Sequence, residues 1–286
     1  MDGVQELHNE LSAERPREVG SQIQPCAYLI ELSPDWIVLR ASENIHHLLR
    51  ESHVTLVGEP LGHFVHAQPL HDLRNIFARL SATTGIGRAY GVRLTEDPDL
   101  VDIAFQLSGR HVVLEAVPSS SAFGECFGSI GGLVAGLAES RGQTLLDNGA
   151  RRMRALTGYD CVSLKLGEMR ATSSRGRLSA AALGDDLPLF VGDSEAAPIG
   201  VYPRQSEDSS IDAALMRAPG SDTAAAFRDA GIRASLRVPF SAAGTDGEFR
   251  CDSRTPRDPG FELHAAAELF AQLFAMQLKI DRLRAP

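Results

Sequence analysis

Residues 231–240, GIRASLRVPF, open a stretch that closes with LHAAAELFAQLFAMQL at 263–278, and its reading decides the fold. The first run is a strand, a second short strand follows and ends at Arg250-Cys251, and the last run is a helix. Along that helix and its continuation, Leu269, Leu273, Met276, Ile280 and Leu283 recur at 4-3-4-3 spacing, a short a/d seam. Phe270, Phe274 and Leu278 make a second stripe beside it. A half-buried surface helix needs only one apolar stripe to cover its own sheet. Two adjacent stripes predict that one faces the sheet while the other meets a helix of a second subunit or partner, most simply as a homodimer. A single wide core-facing stripe in a monomer is the alternative.

Upstream of this stretch, CVSLKLG (161–167), RLSAAALG (177–184), GIRASLRVPF and EFRCDSR (248–254) predict a second sheet, preceded by a long, glycine-interrupted helix from about Ile130 to Leu156. A polar, poorly periodic segment, GDDLPLFVGDSEAAPIGVYPRQSEDSS (184–210), sits inside it as a long loop. The first half reads differently. CAYLIELS (26–33) and DWIVLRAS (35–42), divided by the turn-former Pro34-Asp35, suit an antiparallel pair. HHLLRES is a short helix, and Leu70, Leu73, Ile76, Phe77 and Leu80 mark a longer one. Three strand-like runs follow: AYGVRLTED, LVDIAFQLSG and HVVLEAVPS, the last two joined at Ser108-Gly109-Arg110. Residues 1–22 form a polar arm without apolar periodicity.

With 286 residues the chain can hold two ordinary domains. A formal net charge of −9 argues against a nucleic-acid or anionic-membrane surface, which needs clustered Lys and Arg. The N-terminus carries no signal peptide and no apolar run is long enough to span a membrane. Cys26, Cys126, Cys161 and Cys251 are widely spread, as reduced thiols of a cytoplasmic protein would be. His46, His47, His53, His63, His66 and His71 cluster in the first half, but their spacing fits no zinc pattern. No nucleophile elbow, phosphate-binding loop or dinucleotide fingerprint occurs, so nothing in the chain points to an enzyme.

Together with IQP at 23–25 and LTGYD at 156–160, the 231–278 stretch resembles the PAS–GAF sensory core of bacteriophytochromes, over roughly Ser12 to Ile280. The resemblance stops short of the PHY and output domains. It implies an α+β chain with an arm (1–22), a PAS domain (23–118) and a shortened GAF domain (119–286), each an antiparallel sheet flanked by helices. It also implies a knot, with the N-terminal arm passing through a GAF insertion near residues 200–219.

The same resemblance marks the positions that hold a bilin, and most of them have changed. Ser12, in SAERP, stands where the family attaches biliverdin through cysteine, and a hydroxyl cannot replace a thiolate there. IQPHG reads IQPCA, which puts Cys26 at the histidine position. PLFVGDSEAAP (188–198) omits the family's Asp-Ile-Pro segment. GSDTAAAFRDAG (220–231) puts Thr223 in place of the pyrrole-facing histidine, and RCDS puts Asp252 and Ser253 in place of another. No histidine occurs between Val112 and Leu263, so bilin proton chemistry has no imidazole carrier in that half. Arg217 and Ser235 match propionate-side positions of the family, and Arg237 adds a charge in phase with Ser235 on the same strand face. Three readings follow: a phytochrome-derived regulatory protein that binds a partner, without a covalent bilin; a minimal photoreceptor or carrier holding biliverdin non-covalently or through Cys26; and an enzyme or thiol-based redox switch. The first is preferred, because several independent bilin contacts are lost together.

Overall fold

The computed structural model describes residues 21–80, 85–119, 125–176, 178, 187–205 and 209–284, and Ser12 lies outside them. The chain folds as α+β, with two antiparallel sheets flanked by helices. The first sheet has seven strands in the order β1-β10-β3-β2-β6-β5-β4. They are β1 (Gln22–Ile23), β2 (Tyr28–Leu32), β3 (Val38–Ser42), β4 (Gly87–Val92), β5 (Val101–Ser108), β6 (His111–Pro118) and β10 (Ile199–Tyr202). The short helices α1 (His46–Leu49) and α2 (His53–Leu56) and the longer α3 (Ala67–Leu80) belong to the same half. Ile30, Leu32, Ile103, Phe105, Val112 and Leu114 pack against Leu49, Leu56, Leu70 and Leu73 on one face of the sheet.

The second sheet runs β8-β7-β12-β11-β9. Its members are β7 (Cys161–Leu166), β8 (Met169–Ser174), β9 (Phe190–Val191), β11 (Ala234–Ala242) and β12 (Thr245–Ser253). The expected strand at 177–184 falls almost wholly outside the described residues. The edge beside β7 is taken instead by β8, which returns through a two-residue turn at Gly167, where φ is +55°. One face of the sheet meets α4 (Glu125–Ala135), α5 (Gly142–Thr157) and α8 (Phe261–Arg284). Phe249 of β12 lies 5.2 Å from the Phe274 ring and 6.1 Å from the Phe270 ring of α8, at the centre of this core. Each such ring removed from water contributes about 1.5–3 kcal/mol.

The single long helix expected from Ile130 to Leu156 is two helices. The backbone turns after Ala135, with Leu137 N–H bonding Val134 O at 2.9 Å, and the Arg152 guanidinium lies over Gly136, where a β-carbon would come within 2.0 Å of it. The polar segment 184–210 also departs from expectation, since it supplies β9 to one sheet and β10 to the other. Two further helices follow it, α6 (Ser209–Ala213) and α7 (Ser221–Asp229).

The arm joins the two halves. β1 pairs with β10 on one side (Gln22 opposite Gly200, Ile23 opposite Ile199), and Ile23 bridges Arg217 on the other. Gln24 N–H bonds Met216 O, and Ala218 N–H bonds Gln22 O. Residues 21–24 thus lie between two parts of the 199–218 segment, the contact that the phytochrome resemblance implies.

Candidate functional site

Strand alternation sends Ala234, Leu236 and Val238 of β11, and Phe249 and Cys251 of β12, into the helix-covered core. Ser235, Arg237, Glu248, Arg250 and Asp252 therefore share the opposite face, and the register sets Ser235 against Asp252 and Arg237 against Arg250. Ser235, wholly buried, donates its hydroxyl to Asp252 Oδ1 at 2.8 Å, and Arg250 Nε donates to Asp252 Oδ2 at 3.0 Å. Burial raises the Asp252 carboxyl above its ordinary range, in spite of the Arg250 charge beside it. Arg237 donates to Glu248 Oε2 through Nε (2.9 Å) and Nη2 (2.6 Å), and to Leu187 O through Nη1 (2.6 Å). The face is thus a ladder of closed polar pairs.

α7 extends the cover over this face. Thr223 is half-buried near its start, and Phe227, one turn later, is fully buried with Cys161, Leu178, Leu187, Val191 and Ile232. Arg217 belongs elsewhere: it follows α6 and is tied through its backbone to Ile23 and to the Gln24 side chain. Cys26 follows the arm, its sulfur 3.5 Å from where a β-carbon on Gly192 would lie. Burial pushes its thiol up to about 11, with Asp258 and Asp193 adding to the effect, so at neutral pH it is a poor nucleophile. Ser235 and Arg237 are brought together as expected from their phase; Arg217 and Cys26 sit at the arm.

Two of the positions that the resemblance sets beside a bilin are already engaged by the protein itself. The Arg237 guanidinium is spent on Glu248 and a carbonyl rather than left to clamp a propionate, and the Ser235 hydroxyl is spent on Asp252. Among the described residues, no group of three or more His, Cys, Asp or Glu side chains is placed to hold a metal ion. No helix among them is long and apolar enough to cross a membrane.

The second candidate surface is α8. Phe270 and Phe274 are fully buried and Leu278 nearly so, whereas Leu269 (39% exposed), Met276 (58%), Ile280 (39%) and Leu283 (86%) face outward and Leu273 is half-buried. Of the two stripes, one is core and the other is open. Arg88 of β4 holds the helix to the first sheet, donating to Glu268 Oε2 (2.8 Å) and to His264 Nδ1 (3.1 Å).

Reading by motif overlooked the side chains that fasten the arm. Gln24, nearly fully buried, donates to Phe190 O (2.6 Å) and Arg217 O (3.2 Å) and accepts from Gly192 N–H (2.7 Å). Glu115 of β6, equally buried, accepts from Leu215 N–H and Met216 N–H.

Comparison with known proteins agrees with this architecture. A family model described as a PAS fold matches residues 13–118. The whole chain is similar in structure to the chromophore-binding domain of Stigmatella aurantiaca phytochrome P1, at 22% identity and a TM-score of 0.73, over 95% of this chain and 99% of that one. It is also similar to the chromophore-binding domain of the R. palustris bacteriophytochrome RpBphP3, at 20% identity and a TM-score of 0.74, over 95% and 99%. The longer photosensory core module of the Stigmatella aurantiaca phytochrome aligns at 21% identity and a TM-score of 0.75, over 94% of this chain and 60% of that one. No curated protein matches the chain. The chain therefore has the PAS–GAF fold of bacteriophytochrome chromophore-binding domains, a likeness of fold at these identities.

Proposed function

We propose that this protein is a phytochrome-derived PAS–GAF regulatory protein of bacterial signal transduction, acting in the cytoplasm by protein–protein association and not by bilin photochemistry or catalysis. The observation that carries the reading is the closed polar ladder on the sheet face where the resemblance places the bilin: Ser235 and Arg250 on Asp252, Arg237 on Glu248. Fold alone does not give function, so the assignment rests on these contacts and on the open stripe of α8.

That stripe supports a homodimer in which Leu269, Leu273, Met276, Ile280 and Leu283 pair with the same helix of a second copy. Several large apolar side chains buried together, each contributing about 1.5–3 kcal/mol, offset part of the entropic cost of association. Light scattering on Leu273→Glu and Ile280→Glu tests it: both variants should halve the mass and keep the wild-type circular dichroism. A wild type that is monomeric at high concentration rejects the dimer. Ladder variants then become the way to look for a partner.

A further inference from the structure

We infer that Glu115 is a pH-sensitive latch that holds the strap formed by residues 211–218 onto the first sheet, and through the strap the N-terminal arm. This goes beyond the regulatory reading above and does not depend on it. Glu115 projects from the middle of β6 on the face opposite α1–α3, 1% exposed. Its two carboxyl oxygens are each used once, on consecutive backbone N–H groups of the strap: Oε2 on Leu215 at 2.8 Å and Oε1 on Met216 at 2.7 Å. The next atoms along the strap bind the arm, with Met216 O accepting from Gln24 N–H, Arg217 O from Gln24 Nε2, and Ala218 N–H bonding Gln22 O. The Glu115 carboxyl, together with Gln106 Nε2 of β5 donating to Ala213 O, thus fastens the segment that fastens the arm.

Among the described residues no cationic side chain pairs with the carboxyl. Leu29 of β2 and Ala104 of β5 stand opposite it, and Val113 and Val117 flank it on β6. The charged groups of the same face are committed elsewhere. Glu31 of β2 takes Arg40 and His111. Asp102 of β5 accepts from Gly91 N–H and Ser119 Oγ, and Arg88 of β4, in register with Ala104, takes Glu268 and His264 of α8. Of the strap's own charges, Asp212 is exposed and Arg217 half-buried. Burial raises the carboxyl to about 7 and the two backbone bonds only moderate the rise.

The sign follows from the open state, where a solvated glutamate has its ordinary value of about 4.3. The closed strap then binds the proton more tightly than the open one. Closure is favoured at low pH, and the opening constant grows roughly tenfold per pH unit between about 5 and about 7 before levelling off. Glu115→Gln is permanently neutral at nearly the same volume, so it removes the pH dependence. Its amide nitrogen cannot accept, however, and only one of the two strap N–H groups keeps its bond, so protection at 215 and 216 is lower at every pH.

Hydrogen exchange of the Leu215 and Met216 amides in the full chain, corrected for intrinsic rates, tests this between about pH 5.5 and about pH 8.5. In the wild type, protection should fall at least tenfold across that range, while amides of Phe249 and Cys251 in the second sheet change much less. In Glu115→Gln the fall at 215 and 216 should disappear. A flat wild-type profile overturns the inference, and so does a parallel fall at Phe249 and Cys251, which would report global unfolding. Both results come from the wild type alone and stand even if the variant does not fold.

Discussion

Replacing Gln24 by alanine is the most searching perturbation of how the two halves are joined. The side chain is 2% exposed and makes three hydrogen bonds to residues more than 160 positions away in sequence. Truncation leaves Gly192 N–H without the acceptor it has at 2.7 Å, and removes a donor from Phe190 O and from Arg217 O. A buried orphaned N–H costs about 1–3 kcal/mol and each weakened carbonyl less, so the sum is about 3 kcal/mol. Gln24→Glu should cost more, since it sets a carboxylate against two carbonyl oxygens. The assay is urea denaturation followed by circular dichroism, where Gln24→Ala should lower the midpoint by about 1 M with an unchanged slope. A midpoint within about 0.2 M of the wild type would refute the reasoning, since at that slope the loss is below about 0.6 kcal/mol.

Other perturbations separate packing from electrostatics. Gly149→Ala sets a β-carbon 2.4 Å from Phe274 Cε2 on the facing helix; overpacking of about 1–3 kcal/mol should outweigh the helix-propensity gain of about 1 kcal/mol, so the melting temperature falls. A rise would show that Phe274 moves aside freely. Asp252→Ala leaves the Arg250 guanidinium, 11% exposed, beside an orphaned Ser235 hydroxyl; it should cost about 3–5 kcal/mol in urea, and Asp252→Asn less. Burial, with help from Arg88, pushes His264 down to about 3 from 6.5. Its contribution is therefore complete above about pH 6.5 and is lost as pH falls toward 3. His264→Gln should flatten the acid side of the stability profile, and equal slopes in both proteins between about pH 4 and about pH 6 would contradict this.

The order of elements was legible because alternation and helical spacing are local properties. Leu70, Leu73 and Leu80 are buried in α3, as their spacing requires. The two stripes of α8 also separated as read, Phe270 and Phe274 inward and Met276 and Leu283 outward. What escaped was non-local. Ile199–Tyr202 has too short an apolar run to announce a strand, and it becomes one because the arm and β3 offer backbone partners on both sides. The break after Ala135 depends on an arginine sixteen residues later lying over Gly136. At the site, sequence gave the phase of Ser235 and Arg237 but not their partners. Glu248 and Asp252 reach them only once the hairpin register is fixed.

The central claim is that the bilin-facing side of this PAS–GAF scaffold has been closed by protein pairs. Co-expression with heme oxygenase, followed by a visible absorption spectrum and zinc-induced fluorescence on a denaturing gel, tests it most directly. The purified protein should show no red or far-red absorption band and no fluorescent band on the gel. A fluorescent adduct that vanishes in Cys26→Ser, or a stable long-wavelength absorption in the native protein, would contradict it.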